Sequence, residues 1–249
     1  MRGALRACVV VLVLLGGADA ARAATQSLHV GVLVRDEIAG DRERWRALGS
    51  YLETQLGDVR VDVEAYEPDG LDRVIRDRSV DVVVTNASHY VELSHRVGLT
   101  TPLASLVDLA GDRPLRGVGG TILVRVERRD LESITDLARR RIATASTHSL
   151  GGFQAQAYAM LGAGIEPPAG SLVLETGQPE ERAVAALLDG RVDAAFVRAG
   201  VYEHMLERGA VPAGSLRVLH AAPLEGYPYA LSTPLYPNRA IVAGARGRV

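Results

Sequence analysis

The sequence predicts an α/β protein with parallel-rich sheets covered by helices on both faces. Three observations predict it. Strand-like and helix-like patterns alternate along residues 28–222. Several strands read as near-continuous apolar runs, VDVVVTN (80–86) above all, as buried parallel strands do. Polar clusters directly follow such runs, and open α/β sheets hold ligands beyond the carboxyl ends of their strands.

The elements follow in order. LHVGVLV (28–34) alternates and is rich in β-branched residues, so it reads as a strand. Trp45, Leu48, Leu52 and Leu56 recur at helical spacing, and Gly57 ends that helix. RVDVEAY (60–66) is a second strand, residues 68–78 a short helix, and residues 80–86 the third strand. A helix over 88–97 precedes PLASLVDLAG, which is strand-like, and GVGGTILVRVE (117–127), a strand led by glycines. Residues 134–139 form a short helix, 141–146 a strand and 150–161 a helix. LVLETG, PEERAVAALLDG, VDAAFVRA, VYEHMLERG and LRVLHAA then give strand, helix, strand, helix, strand.

The polar clusters are Arg35-Asp36, the run from Thr85 through Asn86, Ser88 and His89 to Tyr90, and the stretch TASTHSLGGFQ (144–154). The last places Ser146, Thr147, His148 and Ser149 where a helix begins. Free N–H groups at a helix start suit an anion. Equally, Ser146 or Ser149 only caps the helix. Asn86 bonds its own turn or faces a ligand. Tyr90 and Trp45 are packing residues. Arg198 ends the otherwise apolar strand VDAAFVR, and a buried arginine needs a partner, either a carboxylate or a bound anion.

Composition narrows the function. The chain has 249 residues, 47% hydrophobic, with a formal charge of -2, which argues against nucleic acid or an anionic membrane as partner. Its basic residues are all arginine. Arg2 and Arg6, the apolar core CVVVLVLL and the small-x-small triplets ADA and ARA read as a secretory signal peptide over residues 1–23. Cys8, the only cysteine, lies inside it, so the mature chain holds neither disulfide nor thiolate. A G-x-S-x-G elbow is absent around Ser149, the six histidines are scattered, and no G-x-G-x-x-G follows the first strand. The expectation is a binding protein rather than an enzyme, with no metal and no cofactor.

TNASHYVEL, RIATASTHSLGGFQAQAYAMLGAGI and ERAVAALLDGRVDAAFVRAGVYEHM, in this order, resemble the phosphonate-binding type of periplasmic solute-binding protein. TNASHYV, SLGGFQ, VRAGVYE and STPLYP are similar to the periplasmic sensor portion of tetrathionate-sensor-type histidine kinases. The resemblance implies a two-lobed, type II periplasmic-binding-protein fold. One lobe would comprise residues 28–117 with 223–249 and the other 118–222, with Gly117, Gly119 and Gly120 at a hinge. It implies a ligand site of Asn86, His89 and Tyr90 on one lobe, and Ser146, Thr147, His148, Ser149, Gly152 and Arg198 on the other. It implies a small oxyanion as ligand, and an ABC permease or a sensor kinase as partner. His148 departs from the Ser/Thr pattern of the phosphonate binders. The chain also stops at NRAIVAGARGRV, where the family continues with further helices, so the expectation is either a truncated first lobe or a short stand-alone variant.

Overall fold

The computed structural model describes residues 26–34 and 41–244, with the side chains of 41, 42 and 44 left aside. The expected signal peptide, residues 1–23, and Arg35-Asp36 lie outside the described residues. The first part of the chain runs β1 (Gln26–Leu33), α1 (Asp41–Leu56), β2 (Val59–Tyr66), α2 (Pro68–Arg76), β3 (Val82–Thr85), α3 (Ala87–Val97), β4 (Pro102–Ser105), β5 (Asp108–Ala110) and β6 (Arg113–Leu115). The second part runs β7 (Gly117–Val118), β8 (Gly120–Arg125), β9 (Ile142–Thr144), α4 (Ala155–Gly162), β10 (Val173–Glu175), α5 (Glu181–Leu188), β11 (Ala194–Arg198), α6 (Val201–Glu207) and β12 (Leu216–Leu219). The chain then closes with β13 (Tyr236–Pro237) and β14 (Ala240–Ala243).

Two five-stranded sheets result, with orders β2-β1-β3-β14-β4 and β10-β9-β11-β8-β12. Each is parallel except for one strand, β14 in the first and β8 in the second. Both sheets are parallel-rich, as the sequence predicts. The chain enters the second sheet on β8 and returns to the first on β14, and each re-entering strand runs against its neighbours. Between the sheets, β7 and β13 pair antiparallel, Val118 opposite Tyr236 and Gly117 opposite Pro237.

Helices cover both faces of each sheet, so each sheet carries two cores. On β11, Ala195 and Val197 face one core, and Ala194 and Phe196 the other. That is the two-residue period of a strand buried on both sides. In the first sheet, Leu33, Leu71, Val83 and Leu93 pack on one face and Val30, Val32, Val61 and Val84 on the other.

Several boundaries differ from the sequence reading. The strand expected over 117–127 breaks at Gly119, whose missing Cβ would sit 2.4 Å from Leu231 Cδ2. The strand expected over PLASLVDLAG splits into β4 and β5. The helix expected over 134–139 is a 3-10 turn, Ile134–Leu137, closed by a Ser133–Asp136 capping box. The helix expected over 150–161 opens with a π-turn, Leu150–Gln154. Strand β14 was not foreseen, and it completes the first sheet between β3 and β4. Residues 230–233 hold to the second sheet: Ser232 N donates to Gly120 O (2.8 Å) and Thr121 Oγ1 to Ala230 O (2.7 Å).

Candidate functional site

Strands β9 and β11 lie side by side and parallel, so the turn after β9 and the end of β11 meet at one edge of the second sheet. Thr144 ends β9, fully buried, and its Oγ1 donates to Gly152 O at 2.8 Å, fastening the turn to the strand. Ser149 is the N-cap. Its Oγ accepts from Gly152 N (3.1 Å), and its carbonyl accepts from both Phe153 N and Gln154 N (3.0 Å each). A Cβ on Gly152 would meet that Oγ at 2.8 Å, which is why the turn uses glycine there. Ser146 Oγ accepts from His148 N at 3.3 Å. Both serine hydroxyls act as acceptors, so each keeps its own proton to donate.

Leu150 N and Gly151 N have no acceptor among the described residues. They are the open donors of this helix start. Arg198 stands beside them: a Cβ on Gly151 would lie 3.0 Å from Arg198 Cγ. The Arg198 side chain is exposed, and among the described residues none bonds its guanidinium. Its backbone N donates to Glu180 Oε2 at 2.6 Å. The burial cost anticipated for this arginine does not arise, because only the strand before it is buried.

Two members of the expected set are differently engaged. Thr147 gives both its N–H (2.6 Å) and its hydroxyl (2.5 Å) to Glu175 Oε1, which holds the Glu175 carboxyl below its usual range. Nearby His148, which is exposed, adds to that depression. The Thr147 hydroxyl proton is thereby already committed.

The other half of the expected site lies at the end of β3. Asn86 caps α3, its Oδ1 accepting from His89 N (2.8 Å) and Ser88 Oγ (2.9 Å). His89 is 5% exposed. Its Nδ1 meets Thr85 Oγ1 at 2.8 Å and its Nε2 meets Asp72 Oδ1 at 3.1 Å. Both ring nitrogens are bonded inside the core. Tyr90 packs on that core and donates its hydroxyl to Thr100 O at 3.1 Å. The side-chain NH₂ of Asn86 has no acceptor among the described residues.

Sequence reasoning missed Glu175 and Glu180, which accept from Thr147 and from Arg198 N. It also missed Tyr227 and Tyr229, whose rings pack edge to face at 5.9 Å near Arg198. Burial pushes both phenols up, and the Arg198 charge opposes that. The signal for the tyrosines was the pair in GYPYA, in a segment with no periodicity to mark its place. Among the described residues no cluster of three or more His, Cys, Asp or Glu could hold a metal ion.

Residues 39–247 match the family described as "ABC transporter, phosphonate, periplasmic substrate-binding protein". A tetrathionate sensor histidine kinase of Salmonella typhimurium is 25% identical over 215 residues, covering 86% of this chain and 36% of that protein. The chain thus spans about a third of that relative's length. A Prochlorococcus marinus protein in complex with methylphosphonate has the same fold, with TM-score 0.59 and 18% identity over 88% of this chain and 77% of that one. A Xanthomonas citri protein bound to ATP gives TM-score 0.67 and 17% identity over 90% and 78%.

Proposed function

Because the chain belongs to the family of periplasmic substrate-binding proteins of phosphonate ABC transporters, we propose that it captures a small phosphonate- or phosphate-like oxyanion between two lobes. The observation that carries the reading is the pairing of two open backbone donors, Leu150 N and Gly151 N, with an unpartnered arginine, Arg198. Backbone N–H groups at a helix start bind anions through their aligned dipoles. A guanidinium adds charge-assisted bonds. Ser146 and Ser149 supply hydroxyl protons, and Asn86 offers an amide from the opposite lobe. Glu175 accepts from Thr147 and Glu180 from Arg198 N, which anchors the backbone beside these donors.

The lobes correspond to the two five-stranded sheets, with the β7–β13 ribbon as the hinge. The hydrogen bonds from Ala230 and Ser232 to β8 support counting that segment with the second lobe, with the return crossing at β13. A ligand that touches both lobes binds the closed form better and shifts the population toward it. Moving a 1:99 equilibrium to 99:1 takes about 5.5 kcal/mol of differential binding. The closed form would then be read by an ABC permease. The chain would reach the periplasm by its signal peptide, and no chemical step is assigned to it. Among the described residues no helix is long and apolar enough to cross a membrane.

A second reading has its own support. The likeness to a sensor kinase extends over 86% of this chain. On that reading the same closure feeds a two-component sensor, and the ligand is a sulfur oxyanion.

Calorimetric titration of residues 24–249 with methylphosphonate, phosphate, sulfate and tetrathionate tests the proposal. One of these should bind, and Arg198→Ala should weaken it tenfold or more. No binding by any of them, in a protein that unfolds cooperatively, would refute it.

A further inference from the structure

Gln156 is wholly buried, in the first turn of α4, and its side chain fills the space over Gly120. Its Nε2 donates to Gly151 O at 2.8 Å and to Val197 O at 3.0 Å, with a longer contact to Thr121 O at 3.5 Å. These carbonyls come from three segments. Gly151 belongs to the turn with the open donors, Val197 immediately precedes Arg198, and Thr121 is the second residue of β8, just past the β7–β13 ribbon.

The amide can sit only one way. Exchanging its oxygen and nitrogen would aim an acceptor at three acceptors. In the orientation present, Oε1 is buried with no donor among the described residues. An apolar side chain of this size would fill the space without that orphan, so core filling alone does not account for glutamine. The backbone makes room for it as well: a Cβ on Gly120 would lie 2.3 Å from Nε2.

We propose that Gln156 is a positioning residue that fixes the spacing between the open amides of the turn and the Arg198 guanidinium. This rests on the oxyanion reading above. The mechanism is geometric. A single NH₂ group bonded to Gly151 O and Val197 O locks the π-turn against the end of β11, and with it the N–H of Gly151 relative to Arg198. An anion held jointly by the two needs that separation before it arrives, since misplacing one donor forfeits its bond.

The test compares wild type, Gln156→Met and Gln156→Glu, by titration with whichever of the four anions the wild type binds and by thermal unfolding without ligand. Gln156→Met keeps the volume and removes both the donor and the orphan acceptor. It should unfold within a few degrees of wild type yet bind at least tenfold more weakly. In Gln156→Glu, the carboxylate faces three carbonyls and its pKa is driven up. Above that pKa the site should be weak. Below it the neutral acid donates one bond to the same carbonyls, so affinity relative to wild type at the same pH should recover between about pH 8 and pH 5. Each ratio is taken at one pH, so the ligand is in the same solution protonation state in both measurements. Wild-type affinity in Gln156→Met would overturn the inference and leave the oxyanion reading standing. So would a Gln156→Glu ratio that does not move with pH. No anion binding by the wild type would instead refute the oxyanion reading, and this inference with it.

Discussion

The ends of β3 and β9 carry nearly the same words, TNASHY and TASTHS, and fold into opposite roles. Each begins with a fully buried threonine, Thr85 or Thr144, and each places a histidine four residues later, His89 or His148. His89 is 5% exposed and fully bonded, whereas His148 is exposed. The difference lies in where the helix starts. Helix α3 begins at Ala87, so His89 falls in its first turn and swings back over Thr85 toward Asp72 on α2. After β9 the helical turn waits until Leu150, so His148 precedes the cap. The Gly151-Gly152 pair then lets the turn press against Val118 and Arg198. One turn spends its imidazole on the core. The other leaves donors open.

This contrast can be broken in order of expected effect. Asp72→Ala should cost most, about 3 kcal/mol of stability. Asp72 is 5% exposed and meets His89 Nε2 at 3.1 Å and Arg96 Nη1 at 3.0 Å. The melting temperature should fall by roughly 6–12 °C, with anion affinity per folded molecule unchanged. A loss of affinity without loss of stability would return the β3 turn to the ligand site.

Arg198→Ala should invert that pattern. None of the described residues bonds its guanidinium, so stability should move by no more than about 0.5 kcal/mol. Affinity should fall by about 1.5–3 kcal/mol, the range of a bond to a charged group. Calorimetry and a thermal melt on one preparation separate the two.

Gly151→Ala should lower both quantities. The new methyl would lie 2.8 Å from Val118 Cγ2 and 3.1 Å from Gly119 O. Overpacking of that kind costs about 1–3 kcal/mol, and it shifts the open amide itself. Unchanged stability and affinity would show that the turn has slack.

Thr147→Val should be the mildest, about 0.5 kcal/mol, because Glu175 is exposed and water screens its bonds. The sign of its pH dependence is fixed. The folded Glu175 carboxyl sits below its usual range because of Thr147. The stabilisation is therefore present above the ordinary glutamate pKa of about 4.3, and lost as pH falls through the lower folded value. Melts of both proteins should differ at pH 7 and converge near about pH 3. A gap that persists at low pH would contradict it.

Much of the fold was legible because both sheets announce themselves through buried strands such as VDVVVTN and VDAAFVR. Strand β14 was not, since four apolar residues between Arg239 and Gly244 read equally as coil until β3 and β4 offer them a slot. At the site, the Ser146 stretch and Arg198 were legible from chemistry type and place. The fates of His89 and His148 were not. Local sequence does not say whether an aspartate from another helix waits beside an imidazole, as Asp72 does for His89. Gln156 was silent for a similar reason: its three acceptors come from residues 5, 35 and 41 positions away.

The central claim is that the turn after β9 holds the anion and the turn after β3 does not hold it through its imidazole. Amide NMR of the uniformly labelled chain, titrated with methylphosphonate, tests it most directly. The account predicts that the largest amide shifts fall on Leu150 and Gly151 and saturate with one ligand per chain, with the His89 ring resonances moving little. Saturable shifts centred on the His89 ring, with Leu150 and Gly151 unmoved, would contradict it.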